Sequence, residues 1–343
     1  MKRILSSLLI LACILPLASC SAGLTMETEN SQTRRTDGEE VNKKTEAKTE
    51  EKREDPKEDG KVRVFFVSNS TCYYFTDELY GLLTAAGYED VRLCLAYSSG
   101  CPLEKHYNRL MEQKAEYQYR VVDKNGITMT PGFSLNQALS KENWDVISFD
   151  NNARSFASGD AETAIDIAEP YFGKLHEYMQ KKFPHARLMW HEVWANEIGY
   201  KIAFEMKTKE QRNRIYQAKH DVMHHMMKKY GVEGVPTGDA WEKIRDLPLF
   251  TTPLKGTDVD RFTLCTRITN GQIKDDFTHD GDIGGGQYLN ACVWFEIITG
   301  QSCVGNTFRP KYELDGKDLS LTEEKIQILQ NTAHQAVAEF KAV

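Results

Sequence analysis

The domain-forming part of the chain opens on an apolar run, Val62 to Val67, interrupted only by Arg63, of the length expected for a buried parallel strand. A helix-like segment, Thr76 to Ala86, and a second run, Val91 to Tyr97, follow it, so the first unit reads as βαβ. Trp144 to Phe149 and Ala186 to Trp190 repeat the strand pattern, and a short strand is expected around Val232 to Pro236. Between them, Ala161 to Phe183 and Lys209 to Tyr230 carry apolar residues at helical spacing, and Gly286 to Ile298 and Leu321 to Phe340 read as closing helices. Tyr117 to Val122 and Ile127 to Met129 flank Asp123-Lys124-Asn125-Gly126 and predict an inserted β-hairpin, with a short helix over Ser134 to Ser140. This alternation predicts an α/β fold, a three-layer α/β/α sandwich around a central parallel sheet, in one domain spanning 61–343.

The N-terminal residues have a different pattern. Lys2 and Arg3, an apolar core from Ile4 to Leu17 and the closing Leu17-Ala18-Ser19-Cys20 read as an export signal over 1–20. It looks like a bacterial lipoprotein signal, which implies cleavage before Cys20, acylation of that cysteine and a membrane anchor that does not span the bilayer. Alternatives are an ordinary secretory peptide cut after Ala22 or a transmembrane anchor, although the run is short for a span. Residues 21–60 are crowded with Glu, Lys, Asp, Arg and Thr and cannot bury enough surface to offset ordering entropy, so they are expected to be a disordered charged linker.

Composition narrows the function classes. A net charge of -7 without a clustered basic stripe argues against a nucleic-acid partner. Beyond the signal region the cysteines are Cys72, Cys94, Cys101, Cys265, Cys292 and Cys303; none has C-x-x-C spacing, which disfavours a structural zinc site. Cys94 and Cys292 lie in apolar runs that suit buried free thiols.

The most informative chemical pattern is Asp276-Phe277-Thr278-His279, a carboxylate three residues before an imidazole and just upstream of an apolar helix. One loop can then hold both partners of a serine nucleophile's charge system. The run to Val67 ends in Ser68-Asn69-Ser70-Thr71, where a strand-end serine ahead of a helix would have backbone donors and positive potential beside it. Such a serine is often simply a helix cap, a role open to Ser70 or Thr71.

Five words in order, Val67-Ser68-Asn69-Ser70, Ser99-Gly100 through His106, Trp144 to Ile147, Trp190-His191-Glu192-Val193-Trp194-Ala195, and Asp276 to His279 with Tyr288 to Trp294, resemble the SGNH/GDSL hydrolase superfamily, and more closely a branch of exported bacterial members. The resemblance implies a flavodoxin-like SGNH hydrolase fold, with Ser70 as nucleophile, His279 as general base and acid, and Asp276 orienting the imidazole. It also implies an oxyanion hole from Ser70, Gly100 and Asn151, with Asn152 as the alternative amide. The chain departs from the family pattern at two places. Ser68 stands where glycine is expected, and Asp150-Asn151-Asn152 stands where Gly-x-Asn-Asp or a pair of glutamines is expected. An anionic Asp150 aimed at an oxyanion would oppose catalysis, so it is expected to pair elsewhere.

Other features read as structural. His191-Glu192 begins a zincin-like word, but position 195 is alanine; His191 and Trp194 are expected to line the substrate pocket. His220 and His224 stand at i, i+4 with no third ligand nearby in sequence, which favours a solvated helix face and no metal site. Gly284-Gly285-Gly286 lacks the Lys and Ser/Thr of a phosphate loop and is expected to give backbone freedom beside His279. Trp190, Trp194 and Trp294 suit a core better than a sugar platform.

The resemblance implies an extracytoplasmic serine esterase, lipid-anchored in the cell envelope, removing an acyl group, by family habit acetyl, from a carbohydrate or envelope glycan through an acyl-serine and without a cofactor. Two rivals are a non-catalytic glycan-binding lipoprotein and an O-acyltransferase with the same triad.

Overall fold

Successive residues of the first strand, β1 (Lys61–Val67), belong to two different cores: Val62, Val64 and Phe66 to one, Phe65 and Val67 to the other. A strand buried on both faces is the reason its sequence is a continuous apolar run. A computed structural model describes residues 60–342, apart from 152, 157, 201–206, 245–246 and 254–259. The expected signal and nearly all of the expected linker, 1–59, therefore lie outside the described residues, as does Asn152.

β1 pairs in parallel with β2 (Asp90–Tyr97) on one side and β5 (Val146–Asp150) on the other; β5 pairs in parallel with β6 (Arg187–His191), and β6 with β7 (Glu233–Val235). The expected hairpin forms as β3 (Tyr117–Asp123) and β4 (Gly126–Phe133), but it is part of the main sheet. β3 pairs antiparallel with β2, giving a seven-stranded mixed sheet of order β4-β3-β2-β1-β5-β6-β7.

One face is covered by α1 (Thr76–Ala85), α6 (Thr237–Ile244), α7 (Gly286–Thr299) and α8 (Glu323–Lys341), which share a core with Phe66. The other face packs α2 (Leu103–Met111), α3 (Leu135–Leu139), α4 (Ala161–Lys182) and α5 (Lys209–Tyr230) around Phe65 and Trp144. The three-layer expectation holds. All six described cysteines are buried and free, and among the described residues no helix is long and apolar enough to cross a membrane.

Chain order sends β2 to one side of β1 and β5 to the other. The carboxyl ends of β1 and β5 therefore flank the crevice where open α/β sheets collect ligands. Ser70 and Asn151 follow those two strand ends.

Candidate active site

Ser70 opens a short 3-10 turn, Ser70–Cys72, capped by Asn69, whose side chain accepts a hydrogen bond from the Thr71 N–H at 3.2 Å. The helix begins at Thr76, as expected, but past the turn that holds Ser70, so the local backbone donors are those of the turn and not of a helix N-terminus. The turn is fixed by Asp150, the last residue of β5. With Val67 in register with Phe149, the Asp150 Oδ2 accepts from the Ser68 hydroxyl at 2.6 Å and from the Thr71 hydroxyl, and Oδ1 accepts from Asn69 Nδ2 at 3.3 Å. Burial pushes the Asp150 carboxyl up to about 6, against the pull of the Ser68 and Thr71 hydroxyls and the charge of Lys219. As expected, this carboxylate is spent on a neighbour.

The Ser70 hydroxyl lies 2.9 Å from Nε2 of His279, and Nδ1 of the same ring lies 2.8 Å from Oδ2 of Asp276. Asp276 Oδ1 accepts from the backbone N–H groups of Thr278 at 3.0 Å and His279 at 3.1 Å, so one carboxylate shapes the loop and holds the ring. Partial burial works against its charge, but the His279 ring and the two N–H donors prevail and bring its pKa down to about 2. Arg267 reaches the same Oδ2 at 3.4 Å from the hairpin formed by Thr266–Thr269 and Gln272–Asp275, its guanidinium 4.1 Å over the Tyr74 ring. Tyr74 in turn stands edge-on to His279, with centroids 5.2 Å apart.

The loop is anchored from below. Asp280, fully buried, accepts from Asn290 Nδ2 at 3.0 Å, and Asn290 Oδ1 accepts from Trp241 Nε1 at 2.7 Å. Gly281 lies so close to the hairpin that a Cβ there would stand 2.1 Å from the Thr266 carbonyl oxygen. Gly285, at φ 94°, leads into α7, which agrees with the backbone role expected of this glycine run.

Asn151 is 4% exposed; its Oδ1 accepts from Ser155 at 2.9 Å, while its Nδ2 has no hydrogen-bond partner among the described residues. Gly100 is exposed in the turn after β2, with φ 57°, a conformation that suits glycine. Both expected oxyanion donors thus follow strands that neighbour β1.

His191 and Trp194 are corrected. Each residue is 1% exposed, too enclosed to line an open pocket. His191 bridges Cys72 Sγ at 3.2 Å and Thr237 Oγ1 at 2.8 Å, and burial drives its pKa down to about 3. Trp194 stacks on Trp241 at 4.5 Å and donates from Nε1 to the Thr278 carbonyl at 3.0 Å, so it supports the His279 loop. An open cleft of about 550 Å³ adjoins the site instead. It is lined in part by Tyr73, Tyr74, Arg120, Arg267 and Tyr312; it shares Tyr74 and Arg267 with the triad's surroundings but is not lined by Ser70 or His279. Sequence reasoning missed Tyr74, Arg267 and Asp280, and only the adjacency of Asp280 to His279 could have flagged any of them.

A doubly wound α/β sandwich with a Ser/His/Asp chain at its strand ends has the SGNH-like fold that the sequence words imply. The chain belongs to the DUF4886 family, a domain of unknown function, whose model matches residues 66–248. That segment includes Ser70 and Asn151 and ends before Asp276 and His279. A crystal structure of a DUF4886 family protein from Bacteroides uniformis is similar to this chain at 23% identity, covering 81% of this chain and 95% of that one with TM-score 0.61. Fainter likenesses are a lipase/acylhydrolase from Enterococcus faecalis (14% identity, 70% and 96% coverage, TM-score 0.42) and a variant of an acetyl xylan esterase from Geobacillus stearothermophilus (13%, 69% and 94%, TM-score 0.40). No curated protein matches the chain.

Proposed function

We propose that this protein is a serine esterase of the SGNH type, acting through an acyl-serine intermediate. The observation that carries the reading is the continuous chain from Ser70 Oγ through His279 to Asp276, at 2.9 and 2.8 Å. His279 Nε2 takes the Ser70 proton as Oγ attacks the ester carbonyl carbon, and Asp276, ionised at neutral pH, stabilises the imidazolium. The backbone N–H groups of Ser70 and Gly100 and the amide of Asn151 receive the oxyanion. Collapse breaks the carbon–oxygen bond to the leaving alcohol, which takes the proton from His279. Water then attacks the acyl-serine while His279 removes its proton, and release of the carboxylic acid restores Ser70.

The substrate is an O-acylated, by resemblance acetylated, carbohydrate or cell-envelope glycan, and Cys20 carries the lipid that anchors the protein outside the cytoplasm. Aromatic and polar walls beside the triad, Tyr73, Tyr74 and Tyr312 with Arg120 and Arg267, suit a sugar ring.

Intact-mass spectrometry of the full chain after treatment with a small fluorophosphonate tests this. One adduct, mapped to Ser70 and lost in Ser70→Ala and His279→Ala, is expected. No adduct on folded protein would sink the mechanism and favour a glycan-binding protein.

A further inference from the structure

Two features that look unrelated along the chain, the His191-Glu192 word and the His220/His224 pair, meet at the β7 edge of the sheet. The α5 residues His220 and His224 have ring centroids 4.3 Å apart and line an open cleft of about 660 Å³ together with Asp239 of α6. Glu192, directly after β6, reaches the same imidazole. Nδ1 of His220 is 3.0 Å from Asp239 Oδ1 and 3.4 Å from Glu192 Oε1, and one ligand atom from each of the three residues lies within 4.8 Å of the others. Glu192 is 1% exposed, and its Oε1, buried and directed at His220, is left without a hydrogen bond.

We propose that Glu192, His220 and Asp239 form a structural site for a divalent transition-metal ion, Zn²⁺ being the best suited, with His224 beside it in the cleft. One imidazole and two carboxylates are a borderline donor set, which disfavours the all-oxygen ions Ca²⁺ and Mg²⁺. Zinc bonds of about 2.0–2.1 Å in a tetrahedron place donors roughly 3.3 Å apart, close to the two spacings at Nδ1. The carboxylates are already oriented, as metal ligands are by their outer partners. The Asp239 N–H donates to Glu192 Oε2 at 3.0 Å and so directs Oε1 to the imidazole, and the Tyr216 hydroxyl donates to Asp239 Oδ1 at 2.7 Å. Gly238 admits the Glu192 carboxylate, for a Cβ there would stand 2.8 Å from Cδ. The ion would tie α5, packed on one face of the sheet, to α6 on the other. Sequence spacing shows no further ligand near His220, because Glu192 and Asp239 are remote in sequence and near in space.

An imidazolium bridging two carboxylates would use the same residues, and the experiment separates the two. Chelator-stripped full-length protein is titrated calorimetrically with ZnCl₂ and CaCl₂, and with Co²⁺ as a spectroscopic stand-in. The expected result is one equivalent of Zn²⁺ with no Ca²⁺ binding, and Co²⁺ d–d bands without a thiolate charge-transfer band, which sets aside the buried cysteines. His220→Ala and the near-isosteric Asp239→Asn are each expected to weaken Zn²⁺ by about a hundredfold, with a smaller loss for His224→Ala. No saturable Zn²⁺ binding by the folded wild type, or binding that both His220→Ala and Asp239→Asn retain, overturns the proposal. The outcome is independent of whether Ser70 is reactive.

Discussion

Ser68 donates a 2.6 Å hydrogen bond to Oδ2 of Asp150, and these residues are two positions at which the chain departs from the pattern it resembles. This chain has a hydroxyl on β1's exit, where that pattern has glycine, and a carboxylate on β5's. The replacements meet across the strand pair and fasten the turn that presents Ser70. A bond to a buried carboxylate is worth roughly 1.5–3 kcal/mol, so the two exchanges support one another. Urea unfolding of Ser68→Ala, Asp150→Ala and the double variant should give a coupling energy of about 1–2 kcal/mol. Additive effects would mean that the two positions are independent.

Buried carboxyls set the pH dependence of stability. Burial raises Asp150 to about 6, Asp280 to about 7 and Glu78 to about 8, so the folded chain holds protons that the unfolded chain has released. A folded-state pKa above the unfolded value makes stability greatest below the unfolded pKa, with the loss accruing as pH rises to the folded one. The unfolding free energy is therefore expected to fall between about pH 4 and 8, and Asp150→Asn should flatten its lower part, to about pH 6. Asp276, held down at about 2, has the opposite sign and loses its contribution only in strong acid. Denaturant melts across this range check the slope; a rise toward pH 8 would contradict it.

Asn151 offers the oxyanion a buried amide that no described residue occupies. Asn151→Ala should lower kcat for a simple acetyl ester by about 10²–10³ with little change in KM. The variant also loses the Oδ1 bond from Ser155, so a stability loss of about 1 kcal/mol is expected beside the kinetic effect, while the unpartnered Nδ2 adds none. An unchanged kcat would remove Asn151 from the hole.

Trp194 acts on the site at one remove, through its bond to the Thr278 carbonyl. Trp194→Phe keeps an aromatic ring for Trp241 but loses that bond. A fall in kcat of about tenfold, with KM and the acyl-chain preference unchanged, is expected from a small displacement of His279. A shift in KM or preference alone would make position 194 a pocket wall after all.

Asp276→Asn should leave Ser70 and His279 in place yet cut turnover by about 10⁴, because the amide can stabilise the wrong imidazole tautomer. Equal turnover in the two forms would mean that the carboxylate only shapes the loop.

Strands buried on both faces announce themselves in sequence, and the triad was legible because Asp276 and His279 share one loop. Position in the sheet was harder to read. The hairpin was visible from its turn residues, but nothing local reveals that β3 pairs with β2. α2 was missed because its inward face mixes Leu103 and Leu110 with His106 and Arg109, which are buried through partners such as Tyr117 and Glu116. His191 looked like a pocket residue for the same reason: Cys72 and Thr237, which satisfy its two nitrogens, are contributed by distant segments.

Ser70 and His279 are separated by 209 positions along the chain. On the proposed mechanism the nucleophile is made among the first elements of the domain and its base among the last, so a growing or truncated chain can complete most of the sheet while its serine remains an ordinary alcohol. Contacts of such long range form late in folding. Reactivity at Ser70 would then report that the C-terminal third of the molecule has docked, which makes a covalent serine probe a clock for the final step of maturation.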